Sequence, residues 1–171
     1  MILPANDKVI ALPCVAGGAL EQGSVLRFTN LNDGTGRLQA FKVTAAADVS
    51  SGFGTHLAYW VSPDSQDVEF TGAPESTTFT LNTSTGIGGG THTIASGTEF
   101  VALGGGEVAL IRLDKNSLYN TPATLTSYPA STILKVHSSG RLALDSEDDI
   151  DVVAARVVQN DENTIVVQLR S

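Results

Sequence analysis

Three histidines, one cysteine and an acidic run are the residues of this 171-residue chain best suited to chemistry. His56, His92 and His137 lie on separate segments. None has the HxH, HxxxH or HExxH spacing that lets one element present two ligands to a metal. A site built from them needs the fold to gather all three; failing that, each is a turn or surface residue. Asp145, Glu147, Asp148, Asp149 and Asp151 supply carboxylate oxygens of the kind calcium takes. The central Gly and terminal Glu of an EF-hand loop are missing, so a solvated acidic loop is the simpler expectation. Asp48 and Asp64 could work as a carboxylate pair only if the fold makes them neighbours. Cys14, set in ALPCVAG, reads as a small buried hydrophobe rather than a nucleophile. No GxSxG elbow, Walker motif or dinucleotide fingerprint occurs. Gly86-Ile87-Gly88-Gly89-Gly90 lacks a strand-then-helix setting and reads as a flexible tip. The expectation is a protein with no catalytic residue, no cofactor and no metal, hence not an enzyme.

The aromatic residues offer binding rather than catalysis. Phe53, Tyr59 and Trp60 could form a stacking platform for sugars, but alternation along a strand puts Tyr59 and Trp60 on opposite faces. Tyr59 is therefore assigned to the core and Trp60 to a contact surface, where aromatics with a polar edge are enriched. With Trp60, the candidate interface residues are Val9, Ile10, Leu12, Phe79 and Leu81.

Positioning such residues falls to strands. Hydrophobic residues make up 42% of the chain and charged residues only 16%, with Gly, Ala, Ser and Thr filling much of the rest. That composition suits short strands and turns; long helices draw on Glu, Lys, Gln and Arg, which are scarce. The length allows one domain with a real core, burying roughly 70% of the unfolded surface. A net charge of −8 repels phosphate backbones and anionic membranes, so neither nucleic acid nor membrane is an expected partner. No apolar run approaches membrane-spanning length. A single cysteine excludes an intrachain disulfide, and the N-terminal MILPANDK lacks a basic region followed by an apolar stretch, so synthesis in a reducing cytoplasm is expected.

The clearest element is the C-terminal hairpin. Val153, Ala155 and Val157 form one apolar set, and Ile165, Val167 and Leu169 another, either side of Asn160-Asp161-Glu162-Asn163. An even loop would set Arg156 beside Ile165 and Val167. An odd loop pairs Val157 with Val167 and Ala155 with Leu169, which predicts a three- or five-residue connection with a bulge. The last strand is expected inside a sheet. Upstream, 24–29 and 37–44 read as a hairpin around Asp33-Gly34, with a bulge in the second strand where the apolar phase shifts between Leu38 and Phe41. Strands are also expected over 57–62, 68–71, 100–103 and 108–113, the last two as a pair. A helical turn is expected over 114–119, and a hairpin over 133–144 turning at 137–140. VLRF, GRL and AYWV (25–61) faintly echo ILKV, GRL and AARV (133–157).

The whole predicts an all-β barrel or sandwich of about ten short antiparallel strands. Residues 1–14, where Pro4 and Pro13 bracket VIAL, read as an extended N-terminal arm. It would be either an edge strand of its own domain or a strand laid on a neighbour. Residues 15–171 form a single β domain. Within it, Thr/Ser/Gly-rich 72–98 reads as a protruding insertion.

At VAGGALEQGSVLRF, AADVSSGFGTHLAYWVSP and VVAARVVQNDENTIVVQLR the chain resembles capsid decoration (cement) proteins of tailed bacteriophages. The likeness lies in short Gly-punctuated strands, an Ala/Val-rich penultimate strand and a closing hairpin with acidic turn residues. It implies a virion structural protein on the outer surface of the head. It also implies a homotrimer that staples the major capsid protein lattice. The segment 72–98 has no counterpart in that resemblance. A competing expectation is a carbohydrate- or receptor-binding module of a phage fibre or tail, using Trp60 with Tyr119 or Tyr128. A third is a hydrolase, which would need the histidines and Asp48 or Asp64 to converge in a pocket.

Overall fold

The computed structural model describes residues 2–29, 36–49, 54–59, 93–120, 122, 124–144, 148–161 and 163–170, together with the backbone of 68–70 and 79–81. In chain order its strands are β1 (Ile2–Pro4), β2 (Ile10–Ala16), β3 (Leu20–Glu21), β4 (Leu26–Thr29), β5 (Leu38–Lys42), β6 (Leu57–Tyr59), β7 (Val68–Phe70), β8 (Phe79–Leu81), β9 (Thr93–Ile94), β10 (Glu99–Gly104), β11 (Leu110–Asp114), β12 (Ile133–His137), β13 (Leu142–Ala143), β14 (Asp149–Asn160) and β15 (Thr164–Leu169). Among the described residues, helical structure is confined to short 3₁₀ turns, one of them the expected turn at Lys115–Ser117.

The protein is all-β and built of open sheets, a sandwich rather than a closed barrel. One sheet has six strands in the order β1-β11-β15-β14-β12-β13; the other has five, β4-β5-β2-β10-β6. Among the described residues the strands pair antiparallel except β2 with β5, and one further parallel bridge joins Leu118 to Leu142 of β13. The five-stranded sheet curls until Val25, just before β4, bridges Leu57 on β6.

The C-terminal hairpin has the predicted register. Val157 faces Val167 and Ala155 faces Leu169 across β14 and β15. The strands are joined by three residues, and the register slips once between Val157 and Gln159. That bulge reconciles an odd loop with pairing on both sides of it. Asp161 holds the turn by accepting from the backbone N–H of Asn163 and Thr164. β15 lies between β11 and β14, inside its sheet.

Three expectations are sharpened or corrected. First, residues 2–16 take one of the two places expected for them, as strands of their own domain: β1 is an edge strand on β11, and β2 runs along β10. From Cys14 to Ala16, β2 also pairs with β5, so it becomes an inner strand immediately after Pro13. A residue without an N–H fits where one side of the strand has no ladder, which is where it stands. Second, β10 and β11 do not pair; Gly104–Gly106 carries the chain from one sheet to the other. Gly105 makes this turn at φ 133°, and a Cβ there would press on the Lys8 carbonyl and on Ala109. Third, β4 and β5 pair in unbroken register from Leu26–Lys42 to Thr29–Gln39, without a bulge. The phase shift arises because Ala40 fills one face while Phe41, on the other, covers Gly17 and receives the Arg27 guanidinium at 4.8 Å.

The expected insertion also ends earlier than residue 98. β9 pairs with β3, and Ile94 is fully buried against Leu20 in the domain. β7 and β8 pair with each other. Residues 71–78 and 82–92, and the Asp33-Gly34 turn, lie outside the described residues.

Two cores result. The first fills the space between the sheets with Ile111, Leu113, Leu134, Ile165 and Leu169 from one side and Val25, Leu57 and Leu103 from the other. The second lies on the opposite face of the five-stranded sheet, where Ala16, Ala40, Ala58 and Ala102 surround Leu26 and Phe100. Leu57 and Ala58 therefore point into different cores, as do Leu103 and Ala102.

Candidate functional site

Each histidine that is described is used locally. The His56 ring is buried edge-on against Phe28, their centroids 5.1 Å apart, and packs so closely over Gly104 that a Cβ there would overlap it. Burial holds its pKa below the ordinary histidine value. His137 stacks on Tyr119 at 3.5 Å. Its Nδ1 accepts from the Ser139 backbone N–H at 3.0 Å, with the Ser139 hydroxyl at 2.9 Å and the Asp148 carboxylate 3.8 Å from Nε2. This Ser-His-Asp grouping is a buttress for the 137–140 turn, because the backbone N–H already occupies the lone pair a general base would need. His56 precedes β6 of the five-stranded sheet, His137 ends β12 of the six-stranded sheet, and the two share no partner among the described residues. His92 and Asp64 lie outside the described residues.

The carboxylates are likewise spoken for. Asp48 accepts from the Thr44 and Ala45 N–H groups and lies 3.5 Å from Arg27; the Thr44 N–H is the chief reason its pKa is lowered. In the acidic run, Asp149 and Asp151 bind Lys135 at 3.4 and 3.2 Å. Asp145 and Glu147 lie outside the described residues. Among the described residues no group of three or more His, Cys, Asp or Glu could hold a metal ion. Cys14 is buried, and burial raises its thiol pKa to about 11, which keeps it protonated at neutral pH. Arg141 is buried at the junction of the sheets, bonded to the Asn116 carbonyl and 4.0 Å from Glu21. Desolvation works against its charge, and Glu21 and Asp114 offset this, as expected of a structural strut.

Two exposed surfaces stand out among the described residues. The first lies at the crossover between the sheets. Among the described residues Val108 and Ile10 are the most exposed large hydrophobics, at 63% and 55%. Both flank the Gly105 turn: Ile10 is opposite Gly104, and the Val108 carbonyl accepts from the Asn6 side chain at 2.8 Å. Asn6 also accepts from the Leu110 N–H at 3.1 Å, tying the N-terminal segment to this corner. Of the expected interface residues, Ile10 is placed here. Val9 and Leu12 instead pack against the first and second cores. Trp60 and the side chains of Phe79 and Leu81 lie outside the described residues.

The second surface is the outer face of the six-stranded sheet. Cross-strand register sets Leu110, Gln168, Arg156 and Ile133 in one row, and Leu3, Arg112 and Val166 in the next. Arg156 donates to Gln168 at 2.7 Å, and Gln168 donates to the Glu107 carbonyl at 2.6 Å. These residues and Arg170 line a shallow groove of about 260 Å³. The sequence signal for this face was the polar phase of the last hairpin: Arg156, Gln168 and Arg170 alternate with its apolar set.

Nothing in this geometry favours stacking of sugars on the expected tyrosines, since Tyr128 is buried in the first core and Tyr119 is engaged by His137. Among the described residues no helix is long and apolar enough to cross a membrane. No protein-family model, curated protein or solved structure matches the chain with significance.

Proposed function

We propose that this protein is a non-enzymatic capsid decoration protein. It is made in the host cytoplasm and bound to the outer surface of a tailed-phage head, where it stabilises the lattice of the major capsid protein as a homotrimer. The observation that carries the reading is the crossover corner: two large aliphatic side chains stand in water beside a segment whose backbone is fixed by Asn6 and Gly105. A preorganised apolar projection supplies binding area at little ordering cost. Many weak copies on a symmetric lattice then gain avidity. The acidic surface keeps such copies soluble and away from packaged nucleic acid. The described histidines and carboxylates serve the fold, which is consistent with a protein that binds rather than transforms.

The test is co-sedimentation with heads of the encoding phage assembled without this chain. Wild-type protein is expected to pellet with the heads at a saturating stoichiometry. Ile10→Asp with Val108→Asp is expected to stay in the supernatant while keeping its wild-type melting transition. Wild-type protein that never sediments with heads excludes the reading.

A further inference from the structure

We propose that the outer face of the six-stranded sheet is the contact for a second copy of this chain, seated head-to-tail. The inference rests on the decoration reading only for its setting; the contact itself is argued from charge and exposure. Arg112, Arg156 and Arg170 gather on this face of a chain whose net charge is −8. Arg156 donates to Gln168 and Arg170 to the Val153 carbonyl, neither with a carboxylate in ion-pair distance among the described residues, while Arg112 interacts with the Asp161 carboxylate only from beyond that distance. The rest of the molecule is more acidic than its net charge by those three units, so another copy offers the complementary surface. The face is also partly apolar, with Ile133 at 44%, Leu3 at 38% and Val158 at 37% exposure. Arginine set among aliphatic residues is the composition of a protein contact, where planar guanidinium groups shed water readily.

Charge also fixes the geometry. A twofold contact would set this face against itself and oppose arginine with arginine. The favourable arrangement sets the basic face of one copy on the acidic surface of the next, which is a heterologous contact. Heterologous contacts either close into rings or run on as filaments. A ring is what a symmetric head position accommodates.

Light scattering on the purified chain at low and high salt tests this. The wild type is expected to form a closed oligomer larger than a dimer that falls apart as salt rises. The combined Arg112→Glu, Arg156→Glu and Arg170→Glu variant is expected to be monomeric at both salts with an unchanged circular dichroism spectrum. Should that variant fail to fold, single Arg→Gln changes serve instead, each expected to weaken association by up to about fivefold. A wild type that stays monomeric at all concentrations overturns the proposal. So does an oligomer indifferent to the arginines, or a face that captures a single-stranded oligonucleotide instead of a second copy. Head binding is scored separately. An oligomer that ignores heads excludes the decoration reading and leaves this contact standing; a monomer that binds heads excludes this contact and the homotrimer, and leaves only the head binding standing.

Discussion

The two faces of the five-stranded sheet are built from different materials. The face turned to the other sheet carries Val25, Leu57 and Leu103, which meet Leu, Ile and Val side chains across the sandwich. The opposite face carries Ala16, Ala40, Ala58 and Ala102, and is closed by Leu20 and Ile94 from the short β3–β9 pair. Where two sheets must be spanned, branched side chains fill about 10 Å of separation. Where one sheet curls until β4 meets β6, only methyl groups and the Cys14 thiol fit on much of the inner side. The first core thus stabilises by area buried, and the second constrains by the volume it refuses.

Opposite substitutions should expose this contrast. Leu113→Ala, in the first core between Ile2 and Ile165, leaves a cavity and is expected to cost about 2–5 kcal/mol in urea denaturation. Ala102→Leu, flanked in register by Leu12 and Ala58, is expected to cost about 1–3 kcal/mol through overpacking. A neutral or stabilising Ala102→Leu would mean the second core has room to spare. The third effect is smaller and depends on pH. His56 is a base whose folded pKa is lowered by burial, so its neutral form is the one the fold accommodates. The unfolded chain then binds the proton more tightly. His56 leaves stability intact above its unfolded pKa of about 6.5 and lowers it as pH falls below that value, by at most about 1.4 kcal/mol per pH unit. Thermal melts of the wild type and His56→Gln from neutral to mildly acidic pH should diverge in that direction, and parallel curves would remove His56 from the balance.

Legibility in the sequence followed how many signals agreed at each place. The C-terminal hairpin was readable to the residue pair, because Arg156 and the alternation of Ile165, Val167 and Leu169 left only one parity consistent with a buried face. The 133–144 hairpin was readable from its turn residues, and Gly140 indeed sits at φ 86°. In β2, Pro13 marks an edge and the strand is one up to that residue, but IALPCVA has no polar residue and is buried on both sides from Cys14 onward, which the proline did not foretell. The pairing of β10 with β2 rather than β11 was not readable, since Gly104–Gly106 suits a hairpin and a crossover equally. Among the exposed residues of the two surfaces, Ile10 was expected from its setting, but Val108 and the arginine face were not. Their exposure depends on which strands are neighbours, and no local pattern encodes that.

The proposed decoration role is tested most directly by a density map of the intact head of the encoding phage, at a resolution that places individual strands. That role predicts density for this fold on the outside of the shell, in symmetric groups. Ile10 and Val108 should face the capsid lattice, and Arg112, Arg156 and Arg170 of each copy should lie against the next. A shell without this fold, or copies that meet the lattice with both surfaces in open solvent, would contradict it.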